Sequence, residues 1–193
     1  MKKQILICSF LLFTISAISQ NSNSNLYSGG MLILQPGFTI TKNNHQNIHS
    51  HNFGLGGILR FYFYEYFTAG IYGGTQRTRY DSPNSVNSYI SIGYGGPILG
   101  FSRKIRKVRY TLSGFVGKGT IRNLHIESQS NNLLTDAYLY KHSTIVFSPI
   151  LSVDYALSQR ILLTMQTVFL TAKFDTNKTL YNPALQIGIL FNR

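Results

Sequence analysis

From His51 to Ala69 the chain alternates with period two between large apolar residues and small or polar ones. Phe53, Leu55, Gly57, Leu59, Phe61 and Phe63 form one set, and Asn52, Gly54, Gly56, Ile58, Arg60 and Tyr62 the other. Successive side chains of a strand point to opposite faces, so this spacing predicts a strand with two unlike faces. Tyr64, Glu65 and Tyr66 make a short turn. Phe67, Ala69 and Ile71 then resume the alternation against Thr68, Gly70, Tyr72 and Gly74.

Extending the same reading gives about eight strands. The first spans Tyr27 to Thr41, with Leu32, Leu34, Phe38 and Ile40 opposite in face to Met31, Ile33, Gln35 and Thr39. The fourth runs from Ser88 to Phe101, and its apolar set changes phase between Ile90, Ile92, Tyr94 and Pro97, Leu99, Phe101, so a bulge is expected at Gly95 and Gly96. The fifth covers Val108 to Arg122, the sixth Thr144 to Ala156, the seventh Ile161 to Lys173 with no clear phase, and the eighth Pro183 to Phe191. The connections Tyr64 to Tyr66, Ser102 to Lys107 and Leu157 to Arg160 are short. Those at Lys42 to Ser50, Tyr80 to Asn87, Asn123 to Ser143 and Phe174 to Asn182 are longer and rich in Asn, Ser and His. Long two-faced strands joined by alternately short and long connections predict an all-β fold, a closed antiparallel transmembrane barrel of about eight strands. An even strand count puts both termini on one side, the periplasmic side if the short turns lie there.

Targeting and composition support that class. Lys2 and Lys3 precede an apolar run from Ile5 to Ile18, with Ala17 and Ser19 placed for cleavage before Gln20, which predicts a signal peptide over residues 1–19 and a barrel domain over 20–193. Cys8, the only cysteine, lies inside the signal, so disulfides and thiolate metal sites are excluded from the mature chain. The charged fraction is 12%, about half the share usual in soluble domains, while Phe and Tyr number 13 each and Gly 17.

The last strand carries a resemblance. Gln186, Ile187, Gly188, Ile189, Leu190, Phe191 and Asn192 fit the terminal signature of outer-membrane barrels, from which Arg193 departs at the last position. With the signal ending at Ser19 and Gln20, the chain resembles a small outer-membrane β-barrel protein of the kind abundant in Bacteroidota, with OmpA/OmpX-like eight-stranded architecture. The resemblance implies a cell outer-membrane location and contact with the barrel-assembly machinery through Gln186, Gly188 and Phe191. Relatives of this kind include anchors, adhesins, lipid-modifying enzymes and small pores, so the fold does not choose a function.

Candidate chemistry is sparse. Arg60 and Asp154 both alternate onto the inward face, in strands that lie opposite each other in an eight-strand closure; a lumen ion pair is expected, joined by Arg109, with Gln35, Gln166 and Gln186 nearby. A proton or ion path is the functional alternative to a structural plug. His125 and Glu127 share a face and lie near Ser128 and His142, as the His, Ser and carboxylate of a lipid A-modifying barrel enzyme would. None of the five histidines has Ser two positions later, the pattern a deacylase of that kind shows, and His125 is expected to be a polar loop-edge residue. His45, His49 and His51 could ligate a transition metal, but no carboxylate accompanies them, and a solvated loop is the simpler reading. No cofactor is expected.

Charge adds a partner class. Without Lys2 and Lys3 the chain holds 16 Lys and Arg against 6 Asp and Glu, a net charge of +10. No basic helix is present to suggest nucleic acid. Arg103, Lys104, Arg106 and Lys107 crowd one short turn beside Arg109, where lipid headgroups are the natural contact. Arg77, Arg79, Arg122, Lys141, Lys173 and Lys178 are expected at the outer rim, near lipopolysaccharide phosphates. The sequence thus points to a non-enzymatic barrel, structural or surface-binding, with external loops as the interaction surface. A lipid A-modifying enzyme and a narrow solute pore are the alternatives.

Overall fold

The computed structural model describes residues 27–63, 66–82, 85–130, 133–158, 160–175 and 178–192. The expected signal segment lies outside them, as do Tyr64 and Glu65 of the first short turn. Eight strands follow one another: β1 (Tyr27–Lys42), β2 (Asn47–Phe63), β3 (Phe67–Ser82), β4 (Ser85–Ile105), β5 (Val108–Ser130), β6 (Leu133–Ala156), β7 (Ile161–Asp175) and β8 (Lys178–Asn192). Each pairs antiparallel with the next, and β8 pairs with β1, closing the barrel. Closure leaves no edge strand with unpaired backbone, the condition a sheet must meet in hydrocarbon.

Side-chain alternation sorts the barrel into a wall and a filling. Outward lie Leu32, Leu34, Phe53, Leu59, Leu99, Leu151, Met165 and Ile187, all exposed. Aromatics border this belt: Phe67, Phe101, Tyr110, Tyr155 and Phe191 toward the short turns, and Phe38, Phe53, Phe169 and Tyr181 toward the other end. Such girdles mark the two interfaces of a membrane-spanning barrel. Inward, polar residues run from the short-turn end into the far half, where Thr39, Asn52, Thr78 and Asn182 are buried, and Ile33, Ile90, Ile92, Phe115, Ile121, Ile150 and Leu170 pack an apolar layer among them.

That apolar layer corrects the reading of β4. Ile90, Ile92 and Tyr94 point inward, in phase with Ile98 and Ser102, while Pro97, Leu99 and Phe101 point outward throughout. The β3–β4 register passes Gly95 and Gly96 without a shift, so the expected bulge is not there. The apparent phase change came from reading apolar as outward, and this lumen is itself apolar at that height. The register shifts lie at the far end from the termini, at Tyr80/Ser82, Ile126/Ser128, Ser128/Gln129 and Lys173/Asp175. β7 takes a single phase, with Leu162, Thr164, Gln166, Val168 and Leu170 inward.

The expected long loop from Asn123 to Ser143 is also corrected. β5 and β6 are 23 and 24 residues long and stay paired out to Ser130 and Leu133. A membrane crossing needs only about 9–11 residues per strand, so the two strands run on past the wall as a hairpin. Residues 135–139 are exposed on both faces. Antiparallel pairing needs only backbone groups, so Asn, Ser and His composition did not preclude a ladder.

Candidate functional site: the lumen network and the hairpin end

Arg60 on β2 and Asp154 on β6 meet inside the barrel, both fully buried, with Nη1 and Oδ2 3.6 Å apart. Tyr62 bridges them: its hydroxyl accepts from Arg60 Nη1 at 3.3 Å and donates to Asp154 Oδ2 at 3.0 Å. Thr164 donates to the other carboxylate oxygen at 2.7 Å, and Arg60 also donates to Ser152 at 3.2 Å and Gln166 at 3.3 Å. Arg109 lies with its guanidinium 3.9 Å from the centre of the Tyr62 ring, a cation–π contact. Both Asp154 oxygens and both terminal nitrogens of Arg60 thereby have hydrogen-bonding partners, which offsets their desolvation, while Arg60 Nε is left without one.

The network continues up the lumen. Gln166 donates to Gln186, and Gln186 to the Tyr72 hydroxyl at 2.6 Å. Tyr94 donates to Gln35 at 2.8 Å, so the 2.9 Å contact between the Tyr72 and Tyr94 hydroxyls takes its proton from Tyr72. Gln76 donates to Gln35 at 3.0 Å and accepts from Asn182; Asn52 donates to Asn182 and to Thr39, each at 2.9 Å. Sequence reasoning named the glutamines at 35, 166 and 186 but missed Tyr94, Gln76, Asn182 and Asn52. The signal for Asn52, Gln76 and Asn182 was available in the inward phase of β2, β3 and β8, whereas Tyr94 lies on β4, whose phase hydropathy misplaced.

Beyond the apolar belt, at the hairpin end, a second cluster forms. His45, in the turn between β1 and β2, stacks on His125 of β5 with ring centres 3.9 Å apart and planes 15° from parallel. Tyr80 lies 3.3 Å from His125 Nδ1 and donates to Asn123 at 2.8 Å, while Asn43 donates to Tyr80 at 3.1 Å. Tyr138 and Tyr140 of β6 flank His45, the Tyr140 hydroxyl 3.4 Å from its Nε2. His125 is therefore a buried strand residue, 2% exposed, and not the loop-edge residue expected. Its pKa is lowered by burial and by His45, against a smaller opposing pull from Glu127. Glu127 in turn raises the pKa of Tyr138.

Two members of the enzyme-like constellation, Ser128 and His125, take different partners. Ser128 donates to Asp136 at 3.1 Å, while His125 faces Tyr80 and His45. The three histidines near the first turn diverge, His51 packing edge-on against Phe38 at 5.2 Å and His45 on His125. Among the described residues no group of three His, Cys, Asp or Glu is placed to hold a metal ion.

The cations divide by face. Arg103, Lys104, Arg106 and Lys107 are exposed at the short-turn end, Arg106 with a left-handed φ of 56°. Arg109, next in sequence to this turn, turns inward onto the Tyr62 ring, on the lumen side where it was expected beside Arg60 and Asp154. Arg77 and Arg79 face outward on β3, with Arg77 3.8 Å above the Tyr89 ring. In the last strand Gln186 is committed to the lumen network, Gly188 faces inward, and Phe191 is exposed on the wall.

No family model matches the chain, and no curated protein matches it. Solved structures do. Neisserial surface protein A (NspA) superposes with a TM-score of 0.57 at 8% identity, over 86% of this chain and 97% of its own. The outer membrane protein OprG of Pseudomonas aeruginosa gives 0.55 at 10% identity, covering 86% and 96%. Ail, the attachment invasion locus protein of Yersinia pestis, gives 0.52 at 12% identity, covering 86% and 99%. This chain has the fold of the eight-stranded barrels found among bacterial outer-membrane proteins.

Proposed function

We propose that this protein is a non-enzymatic barrel of the cell outer membrane whose hairpin end is a surface for binding or shielding, with the barrel as its rigid mount. The β5–β6 hairpin carries this reading: it extends past the apolar belt, and residues 135–139 are exposed on both faces, where they do nothing for the wall. Segments that carry specificity on rigid scaffolds are placed in this way. In this reading residues 1–19 direct export, the short turns and both termini are periplasmic, and the assembly machinery meets the last strand at Gln186, Gly188 and Phe191. Arg60, Asp154 and Arg109 serve as a plug. Arg103, Lys104, Arg106 and Lys107 contact phospholipid headgroups.

The test is deletion of residues 128–138. Assembly, read as heat modifiability on unboiled gels, should persist, while attachment of cells to surface ligands or their survival in serum changes. A change in the mass of lipid A in cells lacking the protein would replace this reading with the enzymatic one.

A further inference from the structure

The outward face of β3–β6 departs from the rest of the wall. Register aligns three successive outward rows. The lowest places Gly57, Gly73 and Gly95 side by side on β2, β3 and β4, then Lys118 on β5 and Ile145 on β6. Three neighbouring positions without side chains leave bare backbone in a wall that elsewhere carries Leu, Ile and Phe. The next row up runs Thr75, Gly93, Thr120, Ser143, and the one above it Arg77, Ser91, Arg122, Lys141. Directly beneath the glycines the apolar belt resumes with Leu59, Ile71 and Pro97.

A recess of about 600 Å³ opens on this face, lined by Gly93, Lys118, Thr120, Ser143, Thr144 and Ile145. Its outward chemistry is the Lys118 ammonium, the hydroxyls of Thr120 and Ser143, and an apolar floor. Arg122 stands directly opposite Lys141, an arrangement that is unfavourable for like charges unless an anion lies between them. Among the described residues no carboxylate lies within ion-pair distance of Arg77, Lys118, Arg122 or Lys141. Lys118 is ten residues beyond Val108. At ~3.3 Å per residue and a tilt of 35–45° this puts it about 25 Å above the short-turn end, the height of a lipid-facing belt. The cations therefore stand where hydrocarbon gives way to headgroups.

We propose that this face binds a phosphorylated glycolipid of the lipid A type, its phosphates held by Lys118, Arg122, Lys141 and Arg77, its sugar against the hydroxyls, and an acyl chain on the glycine row. The proposal rests on the membrane placement argued above, with the hairpin end external. A soluble anion has no use for the apolar strip below the cations. A single-phosphate phospholipid spans too little: Arg77 and Lys141 are three strands apart, about 14 Å at the usual strand spacing, which suits one headgroup bearing two separated phosphates.

The experiment is native mass spectrometry of the full barrel in neutral detergent, titrated with bis-phosphorylated lipid A, its monophosphoryl derivative or phosphatidylglycerol. Lipid A should be retained at concentrations at least tenfold below phosphatidylglycerol, with the monophosphoryl form between them. Lys118→Gln, Arg122→Gln and Lys141→Gln together should weaken lipid A retention at least tenfold, whereas Arg160→Gln, exposed in a turn at the opposite end, should leave it unchanged. A Cβ at Gly93 meets nothing within 4 Å, so Gly93→Leu should fill the recess without disturbing the wall and weaken retention at least threefold with every cation in place. Equal retention of all three lipids, or unchanged retention by the triple variant, overturns the site. Deleting residues 128–138 should not alter lipid retention, which separates this site from the hairpin's role. A chain that stays monomeric without detergent would overturn the membrane placement itself.

Discussion

His125 shows how one residue reports on the arrangement of the hairpin end. It is buried beneath Tyr80 and lies face to face with His45, and both circumstances disfavour the imidazolium. Its pKa in the folded protein is therefore below the ordinary value of 6.5, so over the interval between the two the unfolded chain binds more protons than the folded one. Stability then rises with pH in that interval. The contribution is intact above 6.5 and is lost as the pH falls toward the folded value. In micelles, an NMR titration of the His125 ring should show a midpoint below 6.5, and His45→Ala should move it upward by removing the stacked ring that opposes the imidazolium and part of the burial. A midpoint at or above 6.5 in the native chain would contradict the stacked arrangement.

Strands were legible where one face met lipid and the other a polar lumen. β2, β6 and β8 satisfy that condition, and their alternation placed Arg60, Asp154 and Gln186 inward from sequence. β4 does not satisfy it: Ile90 and Ile92 join an apolar lumen layer while Ser91, Gly93 and Gly95 face out, so hydropathy alone pointed the wrong way. The β5–β6 hairpin was hidden for another reason, since its β6 arm, exposed on both faces over residues 135–139, has no burial pattern to read. Side-chain contacts across the lumen were likewise beyond reach, because they depend on which strands share a height, and that is set by tilt and register. Gly56 illustrates this. A Cβ there would collide with the amide of Gln35, which accepts from both Tyr94 and Gln76. Gly56→Val should cost about 1–3 kcal/mol by leaving those buried donors unpaired, measured by urea unfolding in lipid vesicles. Gly114→Val, an outward position with open space around it, should change stability by less than ~0.5 kcal/mol.

At the scale of the whole molecule, the question a basic barrel raises is whether anything passes through it. In a ring of eight, β2 and β6 are diametrically opposite, so the contacts of Arg60 with Ser152 and Asp154 close the bore at that level. Further up, Tyr72 of β3 meets Gln186 of β8, Tyr94 of β4 meets Gln35 of β1, and Gln76 of β3 meets Asn182 of β8. The apolar layer with Ile33, Phe115 and Ile150 lies within the same bore. Eight strands enclose little more than their own side chains, and here those chains meet across the lumen at several heights. Planar-bilayer recordings of the purified protein should show no large stable conductance. Arg60→Ala and Asp154→Ala each leave one buried charge without its partner and should destabilise by about 3–5 kcal/mol, read by urea unfolding in vesicles. Neither should open a steady channel, because Tyr72, Gln186, Tyr94 and Gln35 still seal the levels above. A steady wild-type conductance would mean that these contacts part in the membrane, and a channel opened by either single substitution would reduce the seal to the Arg60–Asp154 level alone.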